Sequence, residues 1–176
     1  MSIFGGLFGK KEPEPPKYVR PSFETELGRF VYTGDPERYV EEVGYESELV
    51  WYDDTEEDDL LMGVYIDSDT RDSLEAGRCY GILAGIVADK VRIDHEVRLT
   101  AARHYADKDG FVMSDGMLTS AEAAANKFQL TFISVYRDGR VVYSVDLGYA
   151  LDEVEAGHLH VTVAADGSVS VEECSY

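Results

Sequence analysis

The chain of 176 residues carries 35 Asp and Glu against 16 Lys and Arg, a formal charge of −19, and is 44% hydrophobic with 12 Tyr, 7 Phe and 1 Trp. Length and apolar content predict one folded domain with a sizeable core and argue against a disordered chain. The charge argues against nucleic-acid phosphates and anionic lipid headgroups as direct partners, so no nucleic acid is expected; a basic protein is the partner this field would attract.

Residues 1–21 hold four of the five prolines and read as a flexible tail ahead of a single α+β domain over 22–176. Within the tail, Ile3, Phe4, Leu7 and Phe8 precede Lys10 and Lys11. Peripheral membrane attachment is the alternative use of that cluster, although Gly5, Gly6 and Gly9 weaken any helix there. No secretory leader is read at the start, and Cys79 and Cys174 lack CxxC spacing, so reduced thiols and a cytoplasmic location are expected. The longest uncharged apolar-rich run, Cys79 to Ala88, is about half the length that a membrane span requires.

From Phe23 the pattern is strand-like. "FETELGRFVYT", "YESELVWYDD" and "LLMGVYID" are rich in β-branched and aromatic residues, and the last two predict a hairpin with a charged loop. That loop, Asp53-Asp54-Thr55-Glu56-Glu57-Asp58-Asp59, has six carboxylates in seven positions, which raises calcium as a ligand. A solvated turn is the preferred reading, because charge runs usually stay in water. The stretch from Asp67 begins like an EF-hand loop but puts Asp72 where the turn glycine belongs and Arg78 where the bidentate glutamate belongs, so that motif fails.

Asp72-Ser73-Leu74-Glu75 has the form of a capping box opening a helix over 72–89. Cys79, Ile82, Leu83, Ile86, Val87 and Val91 make its apolar stripe. Gly77, Gly81 and Gly85 recur on its other side, and close packing within the fold is expected to justify them. "RIDHEVRLTAARHYA" predicts a second helix over 92–106, with a strand as the competing assignment. Thr119-Ser120-Ala121-Glu122 opens a short alanine-rich helix to about Lys127.

In the last third, Asp138-Gly139 reads as a two-residue turn between alternating strands. Leu130, Phe132 and Tyr136 then share the core face with Val141, Tyr143, Val145 and Leu147. Asp166-Gly167, treated the same way, sets His160 opposite Glu173 and His158 opposite Ser175. His158-Leu159-His160 has the alternate-residue spacing of a strand metal site. A cross-strand carboxylate explains one of these histidines without a metal, and His95-Glu96 is followed by Leu99 where a zinc helix needs its second histidine.

"FQLTFISVYRDG" followed by "GHLHVTVAADGSVSVEE" resembles the C-terminal part of a bacterial family catalogued as domain of unknown function 2262, and the likeness extends more loosely upstream to "ELGRFVY". The family has no assigned activity. The resemblance implies a small bacterial cytoplasmic α+β protein with a partner-binding role, and carries over no catalytic residue.

The resulting expectation is an antiparallel sheet of about five to seven strands with both long helices packed on one face. The leading function is a non-enzymatic interaction domain whose acidic surface binds a basic protein, in its specific form an immunity-type inhibitor of a basic toxin. Its candidate residues are Trp51, Tyr52, Asp53, Asp54, Glu56, Glu57, Asp58 and Asp59, because interfaces combine aromatic anchors with steering charge. No cofactor and no catalytic residue is expected on this reading. The alternative is a metal-dependent hydrolase using His158 and His160.

Overall fold

The computed structural model describes residues 18–35, 43–52, 60–68, 73–109, 111–112, 118–147 and 158–174. The tail over 1–17, the acidic run Asp53 to Asp59 and the proposed cap at Asp72 lie outside them. In chain order the elements are β1 (Ser22–Thr25), β2 (Gly28–Tyr32), β3 (Gly44–Tyr52), β4 (Leu60–Asp67), α1 (Ser73–Ala88) and α2 (Lys90–Asp109). There follow β5 (Phe111–Val112), β6 (Leu118–Thr119), α3 (Ala121–Ala125), β7 (Gln129–Val135), β8 (Val141–Asp146), β9 (His158–Val163) and β10 (Val169–Cys174).

Eight strands form one sheet in the order β1-β2-β3-β4-β7-β8-β9-β10, so the α+β class holds while the sheet exceeds the expected five to seven strands. Part of the excess comes from "FETELGRFVYT", which folds as two strands about Gly28 at φ 114°. Nor is the sheet purely antiparallel. It consists of two four-stranded meanders joined by one parallel pair, β4 with β7, because the helical segment carries the chain over the sheet and back beside the strand it left.

The helices cover one face, where Met62, Val64, Ile66, Ile133, Val135, Tyr143, Val145, Leu159 and Val161 meet Cys79, Leu83, Ile86, Val97, Ala101 and Ala102. The strand alternative for "RIDHEVRLTAARHYA" gives way to α2, whose Val97 and Ala101 continue that buried stripe. Ser120 caps α3, its Oγ accepting from the Ala123 amide at 3.2 Å. The glycine face of α1 turns outward: a Cβ on Gly77, Gly81 or Gly85 would meet nothing within 4 Å. Close packing is therefore not what these glycines serve among the described residues.

Both C-terminal hairpins differ from the expected register by one residue. Val135 pairs with Val141, and Val163 with Val169. Each loop has three residues, ending in a glycine with positive φ, Gly139 at 87° and Gly167 at 84°, while no described non-glycine residue has positive φ. Asp138 and Asp166 thus do not take the left-handed position that a two-residue type I′ turn demands. Their carboxylates instead accept the amides two residues on, Arg140 and Ser168, each at 2.9 Å. With the slip, Ile133 and Val135 take the core, and Phe132 and Tyr136 move to the opposite face of the sheet.

Candidate functional site

Asp94 is 7% exposed, one of two polar residues buried among the described residues. It sits on α2 in line with Val97 and Ala101, where an apolar residue would continue the stripe. A carboxylate there must be compensated by donors, and four are supplied. Oδ1 accepts from Trp51 Nε1 at 3.2 Å and from the Tyr52 hydroxyl at 2.6 Å. Oδ2 accepts from Arg98, with Nε at 2.9 Å and Nη2 beside it. Arg98 Nη1 in turn donates to the carbonyl of Ala125, the last residue of α3, at 2.7 Å.

Two consecutive residues of β3 reach the same carboxylate because the strand bulges. Val50 pairs with Leu61 and Tyr52 with Leu60, leaving Trp51 as the extra residue. The bulge lets neighbouring side chains approach α2 together instead of pointing to opposite faces. Lys90 at the start of α2 donates to the Trp51 carbonyl at 3.2 Å. The Tyr52 hydroxyl also accepts the Leu130 amide at 2.9 Å, so one phenol links β3, α2 and β7. Burial, reinforced by the hydrogen bond to Asp94, pushes the Tyr52 pKa well above the ordinary tyrosine range. The phenol is held as a hydrogen-bond donor.

Beside this cluster lies a cleft of about 370 Å³ lined by Trp51, Tyr52, Lys90, Val91, Asp94, His95 and Arg98. At its rim Val91 is 79% exposed. On the opposite face of the same hairpin end, the cross-strand pair Val50 and Leu61 is also exposed. Tyr52 and Leu60 bound the acidic run in sequence and are paired with each other. Of the residues expected from sequence, Trp51 is buried at 3% exposure and Tyr52 lines the cleft. Asp53, Asp54, Glu56, Glu57, Asp58 and Asp59 lie outside the described residues.

His158 and His160 lie on one face of β9, as their spacing predicted. His160 is opposite Glu172, not Glu173, and His158 is opposite Cys174, because of the hairpin slip. On the other side, His158 pairs with Asp146 in β8, with Nε2 4.0 Å from Oδ2. Glu173 points to the helix side, 4.0 Å from His104 Nε2. Among the described residues no group of three His, Cys, Asp or Glu side chains is placed to hold a metal ion.

Sequence reasoning missed Asp94, Arg98 and Lys90. The available signal was an acid inside an apolar helical stripe with an arginine four residues on, a spacing that places both on one face. No described helix is long and apolar enough to cross a membrane. No family model, no curated protein and no solved structure matches the chain.

Proposed function

We propose that the chain is a non-enzymatic interaction domain that binds a basic protein at the Tyr52–Leu60 end of its β3–β4 hairpin. The carrying observation is a coincidence at that end of a cleft beside a rigid polar clamp, exposed Val50, Leu61 and Val91, and a run of six carboxylates bounded by a paired Tyr52 and Leu60. Acidic residues steer a basic partner and apolar groups hold it. Tyr52 lines the cleft, whereas Trp51 belongs to the core and supports the site from beneath.

An immunity-type inhibitor of a basic toxin, acting in the cytoplasm without nucleic acid, is the specific form of this proposal. Membership of the bacterial family of domain of unknown function 2262 is proposed with it, on the C-terminal resemblance. Charge reversal tests the reading: with Asp53, Asp54, Glu56, Glu57, Asp58 and Asp59 replaced by lysine, affinity for a partner captured by the wild-type chain should fall at least about tenfold, and its salt dependence should flatten. Unchanged affinity and salt dependence would eliminate the role of this end.

A further inference from the structure

The sheet has two edges, and they differ. β1 has four residues, follows Pro21 and is bridged by Arg29, which donates to Ser22 Oγ at 3.1 Å. Short length and a neighbouring proline are the devices by which natural sheets close an edge. β10 has six residues, pairs with β9 through six consecutive partners with no bulge, and contains no proline, lysine or arginine.

Which β10 backbone groups face outward follows from the turn. The Ala164 amide donates to the Ser168 carbonyl at 2.9 Å, so Ala164 and Ser168 form a hydrogen-bonded pair. Antiparallel alternation then turns Ser170, Glu172 and Cys174 toward β9, and the amides and carbonyls of Val169, Val171 and Glu173 away from it. No described strand lies beyond them. Glu172 and Glu173 are both exposed, and Val169 is 55% exposed.

We propose that β10 receives an extended basic segment as a ninth strand, its lysines or arginines on the face of Glu172 and its apolar residues on the face of Val169 and Val171. Backbone pairing gives such a segment affinity, and the alternating side chains give it specificity. A second copy of the chain is the weaker occupant, because each copy brings a formal charge of −19 to the contact. The inference rests on the reading that the partner is basic, but concerns an edge of the sheet four strands from β4.

The test is residue-resolved amide exchange and chemical shift on the full chain, with a blocked peptide of ten alternating lysine and valine residues as the probe. In the free chain Val169 and Val171 should exchange fast while Ser170 and Glu172 are protected. The peptide should slow both of the first pair at least tenfold, a version with prolines at the two central positions should not, and Glu172→Lys should weaken binding about tenfold. Slow exchange of Val169 and Val171 in the free chain, whether fixed or rising with chain concentration, overturns the proposal by showing the edge already covered by this chain or a second copy. Salt-dependent shifts confined to Tyr52, Val91 and their neighbours overturn the edge and leave the basic-partner reading standing. No shift anywhere in the chain counts against both.

Discussion

Asp94 is the residue on which the candidate site turns. Its carboxylate pairs with an arginine whose side chain is 16% exposed, so removing either partner strands a charge out of water. Asp94→Ala should destabilise the fold by about 3–5 kcal/mol. An Asp94→Leu, Arg98→Met double variant should cost less than the sum of its single changes, which denaturant unfolding of the four proteins would measure. Additive losses would mean that the pair is not coupled. Tyrosine titration gives a second check. Burial pushes Tyr143 up to about 12 from an ordinary 10.0, and Tyr52 shifts in the same direction for the same first cause. A folded state that keeps its phenolic protons longer than the unfolded chain has its full stability below pH 10 and loses it as pH rises toward the folded pKa. Each such group contributes a fall of up to about 1.4 kcal/mol per pH unit in that window. Tyr143→Phe should flatten the slope between pH 10 and 12, and an unchanged slope would contradict the burial argument. Little of this cluster was legible in the sequence, because it needs a strand bulge and a helix register to bring Trp51, Tyr52 and Asp94 together.

At the scale of elements, glycines separate into two kinds. Gly81 and Gly85 in α1 have open space where a Cβ would stand, so their helical backbone carries only the entropic penalty of glycine. Gly81→Ala and Gly85→Ala should each stabilise the protein by about 0.5–1 kcal/mol in thermal melts. Gly63 in β4 lies under the Phe132 ring, which occupies the volume a Cβ would take, so Gly63→Ala should destabilise it. If Gly81→Ala destabilises instead, that face is covered by something outside the described residues. The helices and strands themselves were legible because their apolar periods are strong. The two hairpin registers were not, since Asp-Gly fits a two-residue turn and the last two residues of a three-residue loop equally well. Only the φ sign at Asp138 and Asp166 decides between them, and a slip of one exchanged Phe132 for Ile133 in the core.

For the whole molecule, charge sets the behaviour. The sequence order of two strand-rich stretches around two helices made α+β legible, but nothing local signals that the second meander returns parallel to β4, since that depends on how the helical segment lies on the sheet. A formal charge of −19 concentrated into a folded volume repels itself more than the same charge spread along an unfolded chain. Salt should therefore stabilise the fold. An opposing term comes from exposed pairs such as Arg92 of α2 with Asp89, just before that helix, and with Glu96, at 2.6 and 2.7 Å, which salt weakens. Exposed helix pairs contribute only about 0.3–0.5 kcal/mol each, whereas repulsion acts among all the excess carboxylates, and the Debye length shrinks from about 30 Å at 0.01 M to about 10 Å at 0.1 M. The expected outcome is a Tm that rises between 0.01 and 0.1 M NaCl, with most of the gain at the low end, read by circular dichroism on the full chain. A Tm that falls over the same range would mean that local ion pairs outweigh the net charge, and would weaken the steering argument on which a basic partner rests.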